Sequence, residues 1–362
     1  EAERLIAEAA GPRPVDEADA RRIRAARDQV VLAHVPDGRT TDLRNPAAVK
    51  DMLARAGVDV PTTRKWVLEA YRDSHPVVAD LLAWRADERV ATTYGYGWLD
   101  AHVGADDRLR GAWTACDGAA GRMTAQNGLH NLPVGLRPAV AATEGHVLVR
   151  ADLGQIEPRV LAAVSGDAAF AAATRADDLY APVASRLGVE RPVAKVAVLA
   201  AMYGQRSGAA GEALKGLERA YPVAMAHLDR AYAAGTQGEP VRTFGGRVVP
   251  TDFRAAERPV GADPAMDGAR GRFARNAVIQ GSAAELFKAW AVTVRARLPE
   301  GSGIVLCLHD ELLVHARAAD ADAVSALLHT CLDEAAHRWV GSDRVRFVAD
   351  VAVVQRWSQA KG

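Results

Sequence analysis

Residues 304–315 read Ile-Val-Leu-Cys-Leu-His-Asp-Glu-Leu-Leu-Val-His, an apolar run broken at its centre by His309, Asp310 and Glu311. This pattern predicts two strands over 303–316 joined by a polar hairpin tip. A second strand pattern, His146-Val-Leu-Val-Arg-Ala-Asp152, ends in an acid, and a third spans 344–354. Helical periodicity dominates elsewhere. Residues 1 to 112 are mainly helical, including Asn45–Gly57, with Pro46 in its first turn and a closing glycine, and a longer segment from His75 to Tyr94. Gly and Pro break the text from Ala112 until it becomes strand-like before Asp152. Glu157–Gly166 predicts a helix, 167–235 further helices interrupted between Gly204 and Gly211, Val241–Pro250 a hairpin, and Arg272–Arg297 a helix after a polar loop. No internal repeat or low-complexity tail is present.

Polar residues at the centre of an apolar strand pair carry the first chemical signal. Desolvating a carboxylate is expensive unless a partner or a metal compensates it. Asp152 at a strand end and Asp310 at a hairpin tip could together hold two hard cations a few ångströms apart, an arrangement suited to in-line phosphoryl transfer. Each segment alone also fits a plainer role, as a helix cap or a solvated turn.

Two polar stripes add a second signal. Arg191, Lys195, Leu199 and Tyr203 recur every four residues, so each advances only about 40° around a helix. Two cations one turn apart, then an apolar and an aromatic residue, could hold a triphosphate at one end and a sugar or base at the other. A surface helix with snorkelling cations fits the same spacing. Gly204 directly after Tyr203 allows close approach of another backbone or a ligand. Arg272, Asn276 and Gln280 form a similar stripe suited to phosphates and base edges, with Arg270 and Arg275 expected to add positive charge nearby; plain solvation of that face is the alternative.

Composition narrows the class. At 362 residues, 49% hydrophobic and 25% charged, the chain is globular and long enough for two or three subdomains. Lys195 interrupts the apolar stretch Val193–Tyr203, and no run reaches a bilayer span, so no membrane segment is expected. Cys116, Cys307 and Cys331 are far apart in sequence, which argues for a reducing compartment and against a zinc site or a disulfide framework. The formal net charge of zero argues against coating of nucleic acid by bulk electrostatics but leaves room for a local basic groove. Six of the 45 basic residues are Lys, a bias that fits a GC-rich genome. The start lacks both Met and a signal-peptide pattern, so the chain is expected to be processed or a piece of something longer.

In this order the segments resemble the polymerase module of the bacterial DNA polymerase I family, family A, from about Asn45 to the C-terminus. Asp152-Leu-Gly-Gln-Ile-Glu-Pro-Arg159 is similar to the family's first catalytic motif, Arg191-x3-Lys195-x7-Tyr203-Gly204 to its nucleotide-binding finger helix, and His309-Asp310-Glu311 to its second catalytic motif. Supporting likenesses are Gly121-Arg-Met123 with Asn131-Leu-Pro133, Phe244-Gly-Gly-Arg247 and Arg275–Ala284.

The resemblance implies an α+β right-hand polymerase fold with an antiparallel-sheet palm (113–165 and 264–362), a helical thumb (1–112) and helical fingers (166–263). It implies a template-directed DNA polymerase that extends a primer 3′-hydroxyl with dNTPs and releases pyrophosphate, using two magnesium ions for which manganese could substitute. Asp152, Asp310 and the Leu153 carbonyl would bind metal, with Glu311 in support. Arg191 and Lys195 would clamp the triphosphate, Lys195 protonating pyrophosphate. Gln155, Glu157, Tyr180, Leu199 and Tyr203 would complete the dNTP site, Glu157 disfavouring a 2′-hydroxyl. Arg122, Arg272, Asn276, Gln280 and His309 would contact primer and template.

The chain also departs from the family pattern. Leu199 stands where Phe or Tyr is usual, Tyr180 where His is usual, and Cys307 where Gln is usual. Leu153, Gly154 and Pro158 replace Tyr, Ser and Leu, and the interval from Tyr203 to Gly245 is short, which implies reduced fingers and lower processivity. The expected partners are primer-template DNA and dNTPs, with a monomeric state, no membrane, a bacterial cytoplasmic (nucleoid) location and any nuclease domain upstream of Glu1. A single-subunit RNA polymerase and a non-catalytic DNA-binding relic are the competing readings; Glu157, Glu311 and the retained acids argue against them.

Overall fold

The computed structural model of the chain describes residues 1–35, 41–204 and 210–360, so part of the predicted break between Gly204 and Gly211 lies outside the described residues. The chain forms two compact units, Glu1–Gly111 with Asn127–Ala141, and Ala112–Gln126 with Ala142–Gly362.

The first unit is helical: α1 (Ala2–Ala10), α2 (Glu17–Leu32), α3 (Pro46–Arg55), α4 (Lys65–Glu69), α5 (Pro76–Thr93) and α6 (Tyr96–His102). Local chemistry sets its helix starts. The Asn45 side chain accepts from the amides of Ala47 and Ala48, and His75 Nδ1 accepts from that of Val77; each precedes a proline in the first turn. Val49, Met52 and Leu53 of α3 and Val77, Val78 and Leu81 of α5 close a core with Val31 and Leu68.

The second unit carries the sheet. In chain order its elements are β1 (Trp113–Asp117), β2 (Arg122–Ala125), β3 (His146–Leu153), α7 (Ile156–Ser165), α8 (Ala168–Ala173), α9 (Tyr180–Leu187), α10 (Arg191–Tyr203), α11 (Ala210–Ala220), α12 (Pro222–Thr236), β4 (Val241–Arg242), β5 (Val248–Val249), α13 (Pro264–Arg297), β6 (Gly303–Leu308), β7 (Glu311–Arg317), α14 (Ala321–Val340) and β8 (Ala349–Val354). Four strands form one antiparallel sheet in the order β6-β7-β3-β8. Strand alternation gives β3 two faces. Val147, Val149 and Ala151 join the core with Val324, Leu328, Cys331 and Leu332 of α14, while Leu148, Arg150 and Asp152 point the other way.

The strand expected over 344–354 begins only at Ala349, and two helix expectations change. Helix α13 begins at Pro264 rather than Arg272, capped by the Asp263 side chain, which accepts from the amides of Ala265 and Met266. Gly268 and Gly271 hide this start. Glycine costs a helix about 1 kcal/mol, but a Cβ at Gly271 would lie 2.8 Å from Thr236 and Tyr232 of α12, and one at Gly235 of α12 would lie 2.6 Å from Ala274. Close approach of α12 and α13 therefore offsets the lost propensity. Helix α14 fills an interval to which the hydrophobic pattern assigned nothing, because its buried positions Val324, Leu328, Cys331 and Ala335 are interspersed with alanine and polar residues. Among the described residues no helix is long and apolar enough to cross a membrane.

Candidate active site

Strand register brings the two acidic motifs together. Asp152 pairs with Glu311 on β7 and with Asp350 on β8, and the Leu153 amide donates to the Asp310 carbonyl at 3.0 Å. Leu308 pairs with Glu311, which leaves His309 and Asp310 as a two-residue hairpin turn. Such turns need positive φ, and His309 adopts φ 54° without being glycine. Gln155, which precedes α7, has φ 53°. Non-glycine residues held in this region concentrate at functional sites.

The carboxylates repel one another. Burial pushes the Asp310 carboxyl up to about 6, with further upward pressure from Asp152, Glu157 and Glu311. Glu157 is also raised, first by burial, and this is opposed by Arg122, which donates to it at 2.8 Å, and by a hydrogen bond from Tyr203. Glu311 is buried, with one oxygen accepting from Arg150 Nε at 2.8 Å and the other from Trp357 Nε1 at 2.9 Å.

A cavity of about 170 Å³ opens beside these acids. Arg122, Gln155, Glu157, Tyr180, Leu199, Gln280, His309 and Asp310 line it, so eight of the predicted residues share one space. Asp152 and Glu311, paired across β3 and β7, do not line it. Helix α10 buries Ala194, Ala197, Val198 and Ala201, leaving Arg191, Lys195 and Tyr203 exposed and Leu199 half-buried, in keeping with one stripe. On α13, Arg272 is exposed and Asn276 half-buried; neither lines the cavity. The close approach expected at Gly204 is made by the Arg272 stem, 3.0 Å from where a Cβ would stand.

Arg270 and Arg275 correct the sequence reading. Both are buried, Arg270 paired with Asp267 and Arg275 with Asp229, and each also donates to backbone carbonyls. Their charge is consumed inside the fold and adds nothing to the polar stripe.

Other residues at the site carried no assignment from sequence. Asp178 accepts from Arg191, from Gln155 Nε2 at 3.0 Å and from the Tyr180 amide at 3.2 Å; the Arg191 guanidinium lies 5.7 Å from the Tyr180 ring centre. Burial first, then Glu157, lifts the Tyr180 phenol to about 12, so it stays protonated. Arg159, fully buried, donates to the carbonyls of Gly154, Thr174, Ala176, Asp177 and Arg346 and so shapes the loop that carries Asp178. Arg150 was visible as a cation within an apolar strand, on the same face as Asp152. Asp178 had the weaker signal of a paired acid just before a helix.

The donors suit a hard divalent cation. Asp152 and Asp310 offer carboxylate oxygens whose mutual repulsion a cation would relieve. Among the described residues no group of three or more His, Cys, Asp or Glu is placed to hold a metal ion. Magnesium is typically held by one or two carboxylates and completed by substrate phosphates and water, so two carboxylates fit it.

Acids paired at the end of the sheet and a helix with exposed cations thus belong to the same compact unit. The chain belongs to DNA polymerase family A, whose model matches residues 48–359. It is 34% identical over 294 residues to DNA polymerase I of Chloroflexus aurantiacus, covering 72% of this chain and 30% of that protein. It is 30% identical over 331 residues to the thermostable DNA polymerase I of Thermus thermophilus, covering 83% and 38%. The chain thus spans about a third of the length of these relatives. In fold it matches the POL domain of Pol1 from M. smegmatis, solved with DNA primer-template and dNTP, at a TM-score of 0.77 and 23% identity, over 100% of this chain and 67% of that one. The fold is accordingly that of a family A polymerase domain, α+β with an antiparallel sheet.

Proposed function

We propose that the chain is the polymerase module of a template-directed DNA polymerase, adding dNTPs to a primer 3′-hydroxyl and releasing pyrophosphate. The observation that carries this reading is the placement of Asp152 and Asp310 side by side at the end of β3, next to a cavity lined by Glu157, Tyr180, Leu199 and Gln280. Residues 113–165 and 264–362 would form the palm, 166–263 reduced fingers and 1–112 the thumb. The helical segment Glu1–Gly111 supports the thumb assignment, whereas Asn127–Ala141, within the stretch assigned to the palm, clusters with that segment.

Asp152, Asp310 and the Leu153 carbonyl would hold two magnesium ions, which when bound lower the pKa of the attacking hydroxyl and neutralise charge on the transferring and leaving phosphates. The chain's own groups supply binding and orientation. Arg191 and Lys195 grip the triphosphate through charge-assisted hydrogen bonds, and Lys195 Nζ gives its proton to the departing pyrophosphate. Arg191 must first leave Asp178, so binding exchanges an internal carboxylate for phosphate oxygens. Glu157, fixed by Arg122 and Tyr203, closes on the sugar and disfavours a 2′-hydroxyl by bulk. Tyr180 supplies a neutral phenol near the triphosphate. Leu199 offers only apolar contact to the sugar and base, and with the reduced fingers this fits short runs of synthesis. Arg122, Gln280 and His309 would meet the primer terminus and template, with Arg272 and Asn276 further along α13. Template-primer and dNTPs are the proposed partners, of a monomer in the bacterial cytoplasm.

Magnesium-dependent primer extension by the wild type and by Asp310→Asn tests the reading. Extension with dNTPs by the wild type alone is expected. Equal extension by both proteins, or a preference for rNTPs, would overturn it.

A further inference from the structure

Arg150 opposes the charge of the acids from inside the protein. It lies on β3 two residues before Asp152, on the same face, and is 2% exposed. Its guanidinium touches three carboxylates: Glu311 through Nε at 2.8 Å, Asp152 through a close contact of Nη2, and Asp350 at 3.6 Å from Nη1. Nη1 also donates to the Ala360 carbonyl at 3.2 Å. Glu311 is fixed from the far side by Trp357, so β3, β7 and the segment Trp357–Ala360 are joined through this one side chain.

A buried cation that bonds two acids of a proposed metal site acts in two ways that pull in opposite directions. It holds the Asp152 carboxylate in one orientation, which preorganises that ligand. It also cancels part of the negative charge that attracts a divalent cation, because a positive group within hydrogen-bonding distance of a ligand competes for the same electrons. Arg suits both tasks. It stays charged when buried and its planar fork engages several acceptors at once, which a lysine ammonium does not reproduce.

We propose that Arg150 is a positioning residue that orients Asp152 through a shared guanidinium and weakens divalent-cation binding in the absence of nucleotide, so that firm metal binding awaits the phosphates of an incoming substrate. The inference rests on Asp152 and Asp310 being the metal-binding pair. It separates Arg150 from a merely structural residue, whose loss would lower metal affinity and catalysis together.

The test is Mn²⁺ binding to the nucleotide-free protein, read by electron paramagnetic resonance of the free ion, alongside kcat for primer extension. Arg150→Met should bind Mn²⁺ about tenfold more tightly than the wild type while kcat falls at least tenfold. The double variant Arg150→Met with Glu311→Gln removes one charge of each sign and keeps an acceptor for Trp357. It should return Mn²⁺ affinity to within about threefold of the wild type, with kcat still low. Arg150→Lys should keep wild-type affinity but lose kcat, since charge is retained and the fork is lost. Where Arg150→Met does not fold, the double variant and Arg150→Lys decide. Unchanged or weaker Mn²⁺ binding by a folded Arg150→Met protein, a double variant outside the threefold range, or wild-type kcat in Arg150→Lys would overturn the proposal. Asp310→Asn separates the two readings: if the wild type binds Mn²⁺ no better than this variant, the metal-site reading fails and the Arg150 inference with it. If the wild type binds better and only the Arg150 variants depart from expectation, the Arg150 inference alone fails.

Discussion

Replacing Asp310 by Asn should stabilise the metal-free protein while abolishing the proposed activity. The Asp310 carboxyl is held at about 6 against an ordinary 3.8, first by burial and then by its acidic neighbours. A shift of that size corresponds to about 3 kcal/mol of unfavourable free energy for ionising the group in the folded state. Partial solvent access and hydrogen bonds that favour the charged form reduce the expected gain to about 1–3 kcal/mol. The sign follows from proton linkage. The folded state binds the proton more tightly than the unfolded chain, so the penalty is fully present above about pH 6, shrinks as pH falls, and is gone below the unfolded value near 4. Thermal unfolding in EDTA should therefore show Asp310→Asn melting higher than the wild type at pH 7.5, by about 2–4 °C per kcal/mol for a domain of this size. The difference should narrow markedly at pH 5. Magnesium should raise the wild-type midpoint at pH 7.5 and leave the variant unmoved. A variant no more stable than the wild type at pH 7.5, or an advantage unchanged between the two pH values, would refute the reasoning.

Arg159→Met should cost about 3–5 kcal/mol, because five carbonyls lose a fully buried charged donor. Denaturant unfolding measures that loss, and a cost below about 1 kcal/mol would contradict it. Gly281→Ala should destabilise by about 1–3 kcal/mol, since the new Cβ would stand 2.4 Å from Thr243 Cγ2; calorimetry on the purified variant reads the change. Glu157→Ala should reduce discrimination against rNTPs by at least about tenfold, measured as the ratio of kcat/KM for dNTP and rNTP, with an unchanged ratio counting against a sugar-facing Glu157. Under single-turnover conditions with a DNA trap, the wild type should give short products, and long ones would contradict the reading of reduced fingers.

Much of the site was legible because its chemistry is expensive where it stands. Acids inside apolar strand patterns marked Asp152 and Asp310, and four-residue spacing put Arg191, Lys195, Leu199 and Tyr203 on one helix face before any fold was known. Caps and prolines located α3 and α5 almost to the residue. The same signals failed where packing overrides local preference. Gly268 and Gly271 read as loop because nothing local reports that α12 lies close enough to need them, and α14 escaped because its buried positions are diluted by alanine.

The identities of the acids, their strand-end positions and the helical stripe are local properties, set by side-chain chemistry and backbone periodicity, and they were present in the primary structure. The register was not. Only the pairing of β3 with β7 places Asp152 opposite Glu311 and beside Asp310, and a one-residue slip would have turned each acid to the other face of the sheet. The fate of charge was likewise a tertiary matter. Arg150, Arg159, Arg270 and Arg275 carry the same formal charge as Arg191, yet the first four are buried against acids and carbonyls, while Arg191, paired with Asp178, stays exposed on α10. Which cations meet a substrate depends on what the folded chain has already bonded to them, and that is decided by contacts between residues distant in sequence.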